Sequence, residues 1–242
     1  MGRRKLQIEP TEKRVRAALH GAMVIDSTSV LLVWEHDHYP QYFVPVGDVT
    51  ARLEPTDEFE ADHDLGRAQR YDVVSPDGDR AEGIAWSIED VPELAGHVRF
   101  EWDALDSWFE EDEVVIVHPR SPYVRVDALH SAREVRVDLG GTTIAHSKRS
   151  VMVFETGLVT RFYLPRTDVR LDVLRPSETK SSCPYKGHAE YVSVELGGRL
   201  HHDVGWSYPT PLREVAPVAG MIAFHSEKCT VSVDGVRLAR SI

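Results

Sequence analysis

Apolar and polar residues alternate in this chain with the short period of β-structure. The runs SVLLVWE (residues 29–35) and SVMVFE (150–155) are rich in β-branched and aromatic residues and bounded by polar turns, which predicts buried strands. AEYVSVELGGRLHHDVGW (189–206) reads as strand, Gly-Gly turn, strand. CTVSVDGV (229–236) alternates Val231 and Val233 with polar neighbours, then turns at Asp234-Gly235. Two segments carry helical spacing instead. DALDSWFEED (103–112) opens on Asp103 as an N-cap and sets Leu105, Trp108 and Phe109 on one face, predicting a helix that buries Trp108 and Phe109 and exists only in this half of the chain. PLREVAPVAG (211–220) has room for a turn or two before Gly220.

The pattern is written twice. VRAALHGAMVIDSTSVLLVWEHDHYPQYFVPVGDV from Val15 aligns without a gap with VRVDLGGTTIAHSKRSVMVFETGLVTRFYLPRTDV from Val135, an offset of 120. Gly21 meets Gly141, Trp34-Glu35 meets Phe154-Glu155, Pro45 meets Pro165, and further on Tyr71 meets Tyr191 and Trp86 meets Trp206. So many aligned glycines, prolines and aromatics mark a tandem duplication. The expected architecture is mainly β with short helices: a first, diverged copy over 14–117, a connector over 118–133 with two prolines and no clear period, and a second copy over 134–238. Many short strands suit a curved sheet, and a duplicated domain is expected to form a pseudo-dimer within one chain, with higher oligomers open.

Charge changes the picture in the first copy. Between Glu54 and Glu113 there are 20 acidic and four basic residues, against a net −11 for all 242 residues. Such a field repels phosphate backbones, so no nucleic-acid partner is expected. No apolar run approaches 18 residues, so no membrane span is expected. Two cysteines, Cys183 and Cys229, are too few for a disulfide framework, and a cytoplasmic location is the default expectation. His36-Asp37-His38 and His201-His202-Asp203 lack four-ligand spacing, and no glycine-rich phosphate loop is present, so no metal and no cofactor are expected.

The copies diverge in one loop. Cys183-Pro184-Tyr185-Lys186-Gly187 faces His63-Asp64-Leu65-Gly66-Arg67 at the common offset, Tyr208 faces Ile88, and Arg170 faces Thr50. A loop chemistry kept in one copy of a fold kept twice is the better functional candidate. FETGLVTRFYLPRTDVR, CPYKGHAEY, VGWSYPTPL and VAGMIAFH together resemble the bacterial family catalogued as domain of unknown function 427, over about residues 134–238 and more weakly over 14–117. The resemblance implies a small curved-sheet domain similar to the β-tent of methionine sulfoxide reductase B and the cereblon ligand-binding domain, without their zinc cysteines. The family's alternative label mentions nucleotidyl transfer.

Lys186, held between Tyr185 and Gly187, offers a point charge to an anion. Tyr163, Tyr185, Trp206 and Tyr208 offer aromatic walls with polar tips, and Glu155, Asp168 and Arg170 lie near strand ends of the same copy. Glu155 has Arg161 or Arg170 as alternative partners. The leading expectation is a cleft in the second copy that binds a small anionic metabolite, with Tyr163, Asp168, Arg170, Tyr185, Gly187, Trp206 and Tyr208 as ligand-binding residues. Two alternatives stand beside it: acid–base or group-transfer catalysis by Lys186, Glu155 and Cys183, and a protein-interaction module using the acidic first copy. Lys186→Met is expected to abolish anion binding with the fold intact.

Overall fold

The apolar runs become antiparallel strands in both halves of the chain. The computed structural model describes residues 6–62 and 65–239, including backbone but not side chains over 58–62. The chain divides into two compact units between Ser121 and Pro122. The strands of the first unit are β1 (Gln7–Pro10), β2 (Val15–Leu19), β3 (Ala22–Ser27), β4 (Leu31–Trp34), β5 (Gln41–Pro45), β6 (Arg52–Asp62), β7 (Gly66–Val74), β8 (Arg80–Ile88), β9 (His97–Phe100), β10 (Ser107–Glu110) and β11 (Glu113–Val115). They form a seven-stranded sheet in the order β1-β4-β5-β9-β8-β7-β6 and a four-stranded sheet in the order β11-β10-β2-β3.

The second unit repeats this connectivity strand for strand. Its elements are β12 (Val126–Ser131), β13 (Val135–Leu139), β14 (Thr142–Ser147), β15 (Ser150–Glu155), β16 (Arg161–Leu164), β17 (Leu174–Cys183), β18 (Gly187–Leu196), β19 (Arg199–Ser207), β20 (Ile222–Phe224), β21 (Thr230–Val233) and β22 (Val236–Arg237). The sheets are β12-β15-β16-β20-β19-β18-β17 and β14-β13-β21-β22, and neither closes into a barrel. No helix among the described residues is long and apolar enough to cross a membrane.

Because neighbouring strand residues point to opposite faces, each large sheet carries two apolar layers. One faces the small sheet: Met152, Phe162 and Leu164 pack with Val135, Val137 and Ile144, as Leu32, Tyr42 and Val44 do with Val15, Ala17 and Val24. The opposite face carries Val151, Val153, Tyr163 and Trp206 in the second unit and Val33, Phe43 and Trp86 in the first. Each fully buried Val, Leu or Phe contributes roughly 1.5–3 kcal/mol, so both faces hold the sheet. In the second unit the 3₁₀ segment Arg213–Val218 lays Val215 and Val218 on this outer face. It is the short helical turn predicted over 211–220.

The duplicated ladder registers agree at the offset of 120 where the alignment is ungapped. Leu31↔Phe43 and Leu32↔Tyr42 are matched by Val151↔Tyr163 and Met152↔Phe162. Trp34 and Phe154 occupy the same ladder place, opposite Gln7 and Asp127. Over the next hairpin the register slips by one residue. Pro55↔Tyr71 and Asp62↔Gly66 are matched by Pro176↔Val192 and Cys183↔Gly187. The second copy carries one more residue at the 3₁₀ turn Leu171–Val173, and recovers the offset in its tighter Gly197-Gly198 turn. The counterpart of Tyr191 is therefore Arg70, not Tyr71, since both face the tryptophan of the next strand.

Two expectations are corrected. Residues 107–110 are strand β10, not a helix, and Trp108 and Phe109 pair with Ala17 and Arg16. Trp108 is 3% exposed and stacks on Trp102 at 4.9 Å, while Phe109 is only half-buried. Nor is this element peculiar to the first copy: Val231 in β21 holds the place of Trp108, opposite Val137. The connector is also shorter than 118–133, because Val126–Ser131 form β12 at the edge of the second large sheet.

Candidate functional site

The Cys-Pro-Tyr-Lys-Gly loop closes the β17–β18 hairpin. Lys186 N donates to Cys183 O at 3.2 Å, and Leu212 N donates to Lys186 O at 3.1 Å, tying the loop to the segment after β19. Gly187 stands at φ +99°, where a Cβ would meet Thr210 O at 3.3 Å. Glycine is the residue that tolerates this angle and this approach. Its counterpart Gly66 has φ +92°. Lys186 therefore corresponds to Leu65, one residue away from the alignment read from sequence, in which it faced Gly66. His63 and Asp64, which faced Cys183 and Pro184 in that alignment, lie outside the described residues.

The loop sends Lys186 over the outer face of the large sheet, where its ammonium pairs with Glu155. The two side chains are 13% and 11% exposed. Glu155 continues the outward series Val151, Val153, Glu155 on β15. Tyr163 on β16 accepts a hydrogen bond from Trp206 Nε1 at 3.0 Å, and the two rings meet edge to face. Tyr208 lies 6.3 Å from Tyr163 between ring centres. Burial pushes both phenols well above their ordinary range, so both stay protonated at neutral pH.

These groups line one cavity of about 210 Å³. Val153, Leu158, Val159 and Tyr191 complete its apolar wall, and Arg161 and His225 its polar one. Arg161 makes a two-pronged pair with Glu227, at 3.1 and 2.8 Å, and its guanidinium carbon lies 5.5 Å from the Trp206 ring centre. That pairing first, opposed by burial, holds the Glu227 carboxyl down at about 2. His225 lies 4.5 Å from the Trp206 ring; burial, then the Arg161 charge, lower its pKa, which favours a neutral imidazole.

Of the residues singled out in the sequence, Glu155, Tyr163, Lys186, Trp206 and Tyr208 converge here. Glu155 takes Lys186 as its partner rather than Arg161 or Arg170. Asp168 is placed elsewhere: it accepts from Ser147 Oγ at 2.6 Å and from Arg149 at 2.5 Å. The first unit repeats this latch as Ser27 to Asp48, also 2.6 Å, so Asp168 belongs to the shared scaffold. Arg170 pairs with the exposed Asp172 at 2.6 Å. Tyr185 is buried and Cys183 half-buried, and neither lines the cavity. Cys229 is core, its thiol pushed up to about 12 by burial.

Arg161, Tyr191 and His225 were not among the predicted site residues. The signal for them was strand parity: Arg161 lies two residues before Tyr163, and His225 two after Ala223 on the same outer layer.

No curated protein matches the chain. The model of the family described as a domain of unknown function, DUF427, matches twice, over residues 7–111 and 127–235. The second match begins inside β12, in keeping with that strand's place in the second sheet. With two matched copies spanning most of its length, the chain belongs to the DUF427 family as a tandem-repeat member.

Proposed function

We propose that the second unit binds a small planar organic anion in this cleft. The observation that carries the reading is the Lys186–Glu155 pair opening onto an aromatic wall. Glu155 fixes the ammonium in place, and the remaining N–H groups of Lys186 stay available as charged donors. Arg161 and the protonated hydroxyls of Tyr163 and Tyr208 add donors, while among the described residues Glu155 is the single carboxylate in the lining. A donor-rich cleft suits an acceptor-rich ligand such as a carboxylate. The rings of Trp206, Tyr163 and Tyr191, with Leu158 and Val159, suit a flat apolar body. Metal-assisted group transfer would need clustered carboxylates, whereas the one that lines this cleft among the described residues is taken by Lys186.

The test is calorimetric titration with benzoate, nicotinate and phenylphosphonate, with benzyl alcohol as the uncharged control, alongside the indole NMR resonance of Trp206. Saturable binding of at least one anion is expected, lost in the double variant Lys186→Met/Glu155→Gln. No saturable binding across the panel, or equal binding by the double variant, would refute the reading.

A further inference from the structure

The first unit carries the same outer face with its charges rearranged. Trp86 and Trp206 hold one ladder position, but Trp86 is paired across the ladder with Arg99 and Trp206 with Ala223. Glu35 and Glu155 are likewise equivalents at the offset of 120. In the second unit the cation on that carboxylate comes from the loop, as Lys186. In the first, the loop position is the buried Leu65, and the cation comes from β9, as Arg99. Phe43 and Ile88 stand where Tyr163 and Tyr208 stand, so the hydroxyls are gone as well. The two units differ by a compensating pair of features: a loop lysine on the carboxylate in the second, a strand arginine on it in the first.

The Arg99 side chain is 16% exposed and that of Glu35 12%. Its guanidinium carbon lies 4.0 Å from the ring centre of Trp86, in cation–π range, while it donates to Glu35 Oε2. Burial pulls the guanidinium down to about 10, partly offset by Glu101, which leaves it a cation at neutral pH. Glu35 Oε1 is buried with no hydrogen-bond partner among the described residues. A flat, charged group thus rests on the indole and the carboxylate together, where the second unit has Ala223 and a cavity.

We propose that Arg99 is a tethered occupant of the first unit's version of the cleft, so that the chain has one open site and one self-filled site. The proposal rests on the binding reading for what fills the second cleft, but what it says of the first unit stands apart. Removing the guanidinium should expose a site there for a free planar cation of the same shape. It also sets the stoichiometry of the anion at one per chain.

The experiment is chemical rescue of Arg99→Ala in the full chain, which reads the first unit without any anion. Four of the five tryptophans lie in that unit, so thermal unfolding followed by tryptophan fluorescence reports mainly on it. Millimolar ethylguanidinium, at constant ionic strength, should raise the unfolding temperature of Arg99→Ala saturably by about 4 °C or more. Ethylammonium, which lacks the flat fork, should do less, and wild type and Glu35→Gln/Arg99→Ala should not respond. If Arg99→Ala does not fold unaided, the same comparison is read as recovery of folded protein on refolding with each cation. A response independent of Glu35, or none to ethylguanidinium in either format, would overturn the proposal. Failure of the anion titrations with successful rescue would instead refute only the reading of the second cleft.

Discussion

Lys186→Met makes the sharpest demand on the site's energetics. The stem's volume is largely kept, so packing alone predicts a near-neutral change, as the sequence suggested. The structure reverses that expectation, because the change strands Glu155 in a site where its side chain is only 11% exposed. Removing one partner of a buried pair leaves an uncompensated charge and costs about 3–5 kcal/mol. Some solvent reaches both groups, so a loss of about 3 kcal/mol at neutral pH is expected. Lys186→Met/Glu155→Gln should recover most of it, giving a coupling of at least about 2 kcal/mol in the double-mutant cycle, and more by whatever Glu155→Gln alone costs. Urea denaturation followed at the indole resonance of Trp206, the second unit's tryptophan, isolates the relevant transition. A cost below about 1 kcal/mol for the single variant, or additive costs in the cycle, would refute a preorganised buried pair.

Trp108→Ala should cost about 3–5 kcal/mol by removing a buried ring stacked on Trp102, measured by urea unfolding of the first unit. Gly187→Ala should destabilise the second unit by about 1–3 kcal/mol, since it forces a side chain to φ +99° and towards Thr210 O; thermal unfolding checks it. Glu227, depressed from 4.5 to about 2 by Arg161, contributes stability that is fully present above pH 4.5 and lost as pH falls towards 2. Carboxyl-detected NMR titration should place its midpoint near 2 in wild type and back near 4.5 in Arg161→Met.

The two units, their shared strand order and the outer-face parity of the cleft were legible in the chain itself. Local alternation decides which side of a sheet a residue takes, so Val153 and Glu155, or Tyr163 and Arg161, share a face whatever else happens. The duplication supplied the topology by repetition, and a proline-tyrosine-lysine-glycine loop present in one copy pointed to Lys186. Other features depended on partners distant in sequence. Leu105, Trp108 and Phe109 have helical spacing, yet pairing with β2 on one side and β11 on the other made β10 a strand, since a ladder satisfies backbone groups that a short isolated helix leaves open. One additional residue at Leu171–Val173 slid the next hairpin by a position, which ungapped alignment cannot register, and set Leu65 rather than Gly66 against Lys186. Which cation a buried carboxylate receives was decided last. Glu35 and Glu155 occupy equivalent positions, but only folding brings Arg99 to one from a strand and Lys186 to the other from a loop, because burial requires a cation and leaves its source to the tertiary structure.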